Sequence, residues 1–293
     1  MFEGAYTALV TPFKNEKIDY DALEKHIEFQ IKEGIDGVIP MGTTGESPTI
    51  SFEEHEEFIR RVVKIVNKRV KVIAGTGANS TSEAIWLTKG AEDAGVDAAL
   101  SVNPYYNKPT QKGLVAHYEA IAKSTRLPVI LYNIPGRSGV NFLPESINEL
   151  LQKVGNIAAM KEASGDITQM MRLVELCGDR ITLLSGDDNL LLPLLSIGGK
   201  GVISVLSNIV PADVKRVITL YNEKKTEEAK AAFYKILPLC RAMFLETNPI
   251  PVKAAMEMIG FCGGDLRLPL VPLSDSNREI LRKTLTDYGV KLK

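Results

Sequence analysis

The sequence predicts an α/β fold, a (β/α)8 TIM barrel followed by a C-terminal helical extension. Three observations carry that reading. Eight short, almost wholly apolar runs recur along the chain; a helical pattern follows each of them; and the strand signal stops near residue 222. Continuous apolar runs mark strands buried on both faces, as parallel strands are, because crossover helices cover the sheet. One helix per strand favours closure into a barrel over an open doubly wound sheet.

The runs are GAYTALV (4–10), DGVIPM (36–41), VKVIAG (70–75), DAALSV (97–102), PVILYN (128–133), NIAAMK (156–161), ITLLSG (181–186) and GVISVL (201–206). The intervening segments carry helix punctuation. Ser51 with Glu54 three residues on is a capping-box pattern, in which each side chain satisfies a backbone N–H of the first turn. Ser80 with Glu83 repeats it. Gly34 and Gly95 follow helical stretches, where a left-handed residue ends the helix. After PADVKRVITLYNE come three helical patterns, TEEAKAAFYKILPLCRAMFLE, PVKAAMEMIG and SDSNREILRKTLTDYG. The expected organisation is a catalytic barrel over 1–222 and a helical domain over 223–293.

The 293 residues suit one barrel plus an appendage, and 45% hydrophobic with 24% charged residues is ordinary for a globular protein with a sizeable core. A formal net charge of −1 gives no electrostatic ground for nucleic acid or an anionic membrane as partner. The three cysteines (177, 240, 262) form no CxxC pair and the three histidines (26, 55, 117) are scattered, so neither a metal nor a disulfide framework is expected. No cofactor is expected either. The N-terminus does not read as a signal peptide, and no apolar run approaches the roughly 18 residues of a membrane helix. A cytoplasmic location follows as the expectation.

In such a barrel, chemistry sits at the C-terminal strand ends. Lys161 closes the sixth run, on the face shared by period-two alternation with Ala159 and Ile157. Burial there disfavours the ammonium and frees the amine to attack a ketone. The alternative is a lysine that snorkels to solvent or pairs with Glu162. Gly42-Thr43-Thr44-Gly45 offers N–H groups and two hydroxyls for a small carboxylate, or is a plain strand-end turn. Tyr132 and Tyr106 could exchange protons with substrate oxygens, or be hydrogen-bonded core tyrosines. Arg137, in a Pro-Gly turn, could bind a second carboxylate in bidentate fashion or form a surface ion pair. Gly75-Thr76-Gly77 lacks the third glycine of a dinucleotide loop.

GTTGES (42–47), NPYYNKPTQ (103–111), YNIPGRSG (132–139), KEASGD (161–166), SGDD (185–188), GVISV (201–205) and ETNPIPVKAAM (246–256) resemble the dihydrodipicolinate synthase family, in order and across almost the whole chain. The resemblance implies that Lys161 forms an imine with pyruvate, that the derived enamine adds to L-aspartate 4-semialdehyde, and that the product enters the diaminopimelate route to lysine. It makes Tyr132 the proton shuttle, linked through Thr44 to Tyr106, which in the family reaches the neighbouring subunit. It gives Thr43 and Thr44 the pyruvate carboxylate, Gly186 and Ile203 the pocket lining, and Arg137 the semialdehyde carboxylate. It also implies a homo-oligomer, a tetramer assembled as a dimer of dimers.

The same superfamily holds N-acetylneuraminate lyase and 2-keto-3-deoxy-sugar-acid aldolases, which share the lysine, the strand-five tyrosine and the glycine-rich turn. Arg137 separates them, since a sugar substrate needs hydroxyl contacts instead. A barrel that binds a keto acid without catalysis is the reading from another class. Ser47, His55, Asn79, Glu83 and Tyr105 match part of a lysine effector site in the family. Phe52 and Pro48 depart from that pattern, and a phenylalanine cannot supply a polar contact there.

Overall fold

The structure, a computed structural model, describes residues 2–293. Eight parallel strands close a barrel in chain order: β1 (Gly4–Ala8), β2 (Gly37–Ile39), β3 (Lys71–Gly75), β4 (Ala98–Val102), β5 (Val129–Asn133), β6 (Ile157–Glu162), β7 (Thr182–Ser185) and β8 (Gly201–Ser204). Each apolar run matches one of them, the sixth strand running one residue further, to Glu162. The helices that follow are α1 (Tyr20–Lys32), α2 (Phe52–Val66), α3 (Thr81–Ala94), α4 (Gln111–Lys123), α5 (Pro144–Lys153), α6 (Ile167–Cys177), α7 (Leu191–Ser196) and α8 (Pro211–Asn222). Three more, α9 (Thr226–Ala242), α10 (Ile250–Met258) and α11 (Asp275–Tyr288), make the C-terminal extension. Among the described residues no helix is long and apolar enough to cross a membrane.

The chain forms two compact units. One comprises Lys71–Ile203 with the N-terminal residues up to Gly4; the other comprises Ala5–Val70 with Ser204–Lys293. In the first, the buried side chains Val129, Leu131, Met160 and Leu183 of the strands pack with Leu114, Tyr118 and Ile121 of α4 and Met170 and Leu173 of α6. In the second, β1 pairs with β2, and α9 packs on α8 and α11.

The helix ends test the local readings. Ser51 caps α2 through a complete capping box with Glu54, and Gly34 and Gly95 adopt φ of +83° and +84° after α1 and α3. Ser80 also stands at a helix start, but its side chain caps nothing: the hydroxyl lies 3.0 Å from that of Ser82. Two small polar residues two apart satisfy each other more cheaply than the helix end, and the expected second capping box does not form.

The strand carrying Lys161 differs from strict alternation as well. Between Val129↔Ile157 and Ile130↔Ala159 the register slips by one residue, so Ala158 is an extra residue in β6. A bulge reverses the facing of everything before it. Ile157 therefore joins the cluster under the helices with Leu131 and Met160, rather than the face of Ala159 and Lys161.

Candidate active site

Beyond the bulge, β5 and β6 run in register with Tyr132 beside Lys161 and Asn133 beside Glu162. Lys161 is 7% exposed, and its Nζ stands 4.0 Å from the centre of the Tyr132 ring. Burial is the main force on the amine and lowers its pKa from 10.5 to about 7; Asp188 works against that and Arg137 with it. With a pKa near 7, about half of such amines are neutral at pH 7, and the neutral form is nucleophilic. Gly186 makes room for the stem: a Cβ there would lie 2.7 Å from Ala163 Cβ and 3.1 Å from both Cγ and Cε of Lys161.

The opposite face of the same two strand ends is locked by hydrogen bonds. Asn133 Nδ2 donates to Glu162 Oε2 at 3.1 Å, and the Ser164 N–H donates to Glu162 Oε1 at 2.7 Å. Asn103 Nδ2 donates to Asn133 Oδ1, and the Tyr118 hydroxyl to Asn103 Oδ1, each at 2.7 Å. Gln169 on α6 adds a 3.3 Å bond to Glu162 Oε2. Burial raises the Glu162 pKa and these donors oppose the rise. Glu162 is thus engaged away from Lys161, and the lysine–glutamate pair considered above gives way to this network. A fully bonded polar cluster fixes strand ends more sharply than apolar packing alone.

The second unit holds the glycine-rich turn. Thr43–Gly45 form a single 3-10 turn and Glu46 follows in the left-handed region at φ +57°. The N–H groups of Gly45, Glu46 and Ser47 are spent on Gly42 and Thr43 carbonyls. Thr44 is buried, and Asn248 Nδ2 donates to its Oγ1 at 3.1 Å. The Thr11 hydroxyl at the end of β1 donates to Gly45 O at 2.6 Å. Behind the turn lies a wholly buried ion pair, Lys253 Nζ to Glu46 Oε1 at 2.6 Å.

The structure therefore groups Lys161, Tyr132, Gly186 and Arg137, the last on a short helix, Pro135–Ser138. Ile203 is fully buried on β8. Tyr106 stands apart from that group, 90% exposed and at φ +74°. Of the effector positions, Asn79, Glu83 and Tyr105 are neighbours: burial and the Glu83 charge raise the Tyr105 pKa, and a hydrogen bond at the Asn79 backbone lowers it. Ser47 lies in a 3-10 turn and His55 is buried on α2. Phe52 is half exposed.

Sequence reasoning gave no role to Asp188, Asn248, Glu46 or Lys253. All four lie inside motifs already singled out, yet their partners are set by tertiary contacts that spacing does not encode.

A parallel barrel with a buried, readily neutral lysine at its C-terminal strand ends has the chemistry a Schiff-base lyase needs. Comparison with known proteins narrows this. Residues 1–288 match the Dihydrodipicolinate synthetase family. A 4-hydroxy-tetrahydrodipicolinate synthase of Leptospira biflexa serovar Patoc is 54% identical over 94% of this chain and 93% of that one. The structure of 4-hydroxy-tetrahydrodipicolinate synthase from the thermoacidophilic methanotroph Methylacidiphilum fumariolicum SolV superimposes with a TM-score of 0.97 at 50% identity, covering 98% of this chain and 96% of that one. A variant described as the first monomeric dihydrodipicolinate synthase superimposes equally well, with a TM-score of 0.97 at 43% identity over 99% and 98% of the two chains. The chain belongs to the dihydrodipicolinate synthetase family.

Proposed function

We propose that this protein condenses pyruvate with L-aspartate 4-semialdehyde, the 4-hydroxy-tetrahydrodipicolinate synthase reaction of the diaminopimelate route. The observation that carries the reading is the Lys161 amine, buried against Tyr132 with its pKa lowered to about 7. The neutral amine adds to the pyruvate ketone and water leaves, giving an imine. The imine draws electrons from the methyl carbon, which loses a proton and becomes an enamine nucleophile. That carbon bonds to the semialdehyde carbonyl, and the substrate's own amine then displaces Lys161 to close the ring.

Tyr132 serves as proton shuttle, with Thr44 and Tyr106 as its hydroxyl relay, and Tyr106 is supplied to a neighbouring subunit. High exposure and a left-handed backbone at Tyr106 suit a side chain presented to another molecule. Thr43 and Thr44 hold the pyruvate carboxylate, Gly186 and Ile203 line the pocket, and Arg137 receives the semialdehyde carboxylate. Residues 1–222 form the catalytic barrel and 223–293 the helical domain. The working form is a cytoplasmic homotetramer, a dimer of dimers. Ser47, His55, Asn79, Glu83 and Tyr105 belong to an effector position for lysine, with Phe52 and Pro48 weakening it.

Borohydride reduction with pyruvate should leave a covalent adduct on Lys161, and turnover should favour aspartate 4-semialdehyde over N-acetylmannosamine or glyceraldehyde. An unmodified Lys161 rejects the imine; preference for a sugar aldehyde rejects the synthase assignment in favour of a sugar-acid aldolase. Arg137→Ala should lose semialdehyde turnover while still forming the pyruvate imine. Sedimentation tests the tetramer, and saturating lysine the effector position.

A further inference from the structure

The segment 248–253, which opens α10, grips the glycine-rich turn at two points. At one, Asn248 donates its side-chain amide to Thr44 Oγ1 at 3.1 Å, both residues being buried. At the other, Lys253 Nζ bonds Glu46 Oε1 at 2.6 Å and the Thr11 carbonyl at 3.0 Å, and sits 4.2 Å from the centre of the Phe13 ring. Glu46 Oε2 accepts the Arg267 N–H at 3.1 Å, so both carboxylate oxygens are engaged.

The two grips do different things. The ion pair fixes where the turn is. The amide fixes something finer, the direction of one proton. A threonine hydroxyl has one hydrogen and two lone pairs and rotates to suit its neighbours. Once Asn248 donates to Oγ1, the Thr44 hydrogen cannot also point along that line, and the O–H is left to donate elsewhere. Polarisation by the first bond makes it a better donor.

We propose that Asn248 is a positioning residue which sets the direction of proton transfer through Thr44. The inference rests on the assignment of Thr44 to the proton relay. Lys253 and Glu46 hold the turn in place so that this single hydrogen bond is made in a fixed geometry.

The test is a cycle of Asn248→Ala, Thr44→Val and the double variant, with kcat and pyruvate KM measured separately. Asn248→Ala should lower kcat by roughly tenfold, as for loss of one buried hydrogen bond, with pyruvate KM within about threefold of the parent. In the Thr44→Val background the same substitution should change kcat by less than about twofold, because the hydroxyl through which it acts on the relay is gone. Independent, additive losses overturn the proposal, since a merely structural asparagine would weaken both backgrounds alike. Asn248→Asp keeps the shape but replaces the donor with an acceptor, and serves if the alanine variant does not fold. Its kcat should fall at least as far as that of Asn248→Ala, and parental kcat overturns the proposal. If Thr44→Val alone keeps full kcat, the relay assignment falls and this inference with it. If Thr44→Val is impaired and Asn248→Ala is not, only this inference falls.

Discussion

Among the described residues two lysines are buried, and they are buried in opposite ways. Lys253 is fully enclosed with a carboxylate at 2.6 Å, a carbonyl at 3.0 Å and an aromatic ring beneath it. Lys161 also lies over a ring, but among the described residues it forms no ion pair, and Asp188 acts on it only as a nearby charge. Burial lowers the pKa of both; at Lys253 the Glu46 carboxylate opposes it by charge and by hydrogen bond. One ammonium is compensated and structural. The other is left under-compensated, so its proton is easily lost and its lone pair is available. The difference between the two lysines is one carboxylate in direct contact.

The sharpest way to break the comparison is to remove each lysine in turn. Lys161→Met should abolish borohydride-trappable imine and lower turnover by at least about a thousandfold, with the fold intact. Lys253→Met should do the reverse, destabilising the protein by about 3–5 kcal/mol in denaturant titration because Glu46 is left buried and uncompensated. Pairing Lys253→Met with Glu46→Gln should recover much of that loss, since no buried charge remains. Next in size is Gly186→Ala, whose new methyl forces Ala163 to shift and presses on the Lys161 stem, and which should slow imine formation by up to about a hundredfold.

The smallest effects are on pH. Because the Lys161 pKa is lowered to about 7, the rate of imine trapping should rise with pH through that value and then level off. Asp188 favours the ammonium, so Asp188→Asn should move the midpoint to lower pH; Arg137 disfavours it, so Arg137→Ala should move it higher. Stability carries the same signature. Between pH 7 and 10.5 the unfolded chain binds the Lys161 proton and the folded chain largely does not, so stability rises with pH across that window. A Lys161→Met protein should lack that contribution, which melting curves at pH 7 and pH 9 would reveal.

Much of this was legible in the sequence, for a physical reason. Strands buried on both faces leave continuous apolar runs, and all eight were visible; the polar residues that end them mark where chemistry collects. Lys161, Tyr132 and Arg137 stand at such ends, and the structure brings them together. Neighbours along β6 were misjudged only at Ile157, because one extra residue at Ala158 leaves no trace in an Ile-Ala-Ala-Met run. The second capping box failed because Ser82, two residues on, was a better partner for Ser80 than the helix end. What could not be seen were the pairings of Glu46 with Lys253 and of Thr44 with Asn248, each bridging more than two hundred positions. No local pattern records which distant group neutralises a charge or donates to a hydroxyl. That depends on how the chain closes on itself.

Gly186 has no reactive group and forms no part of any ion pair, yet its effect on Lys161 is set by an atom it lacks. Every other amino acid would put a carbon 2.7 Å from Ala163 Cβ and 3.1 Å from the lysine arm. Substitution at this position is therefore constrained by space alone, though nothing in its chemistry announces it. In a variant library scored for activity, position 186 should tolerate almost nothing, and a reader looking only for functional groups would not know why.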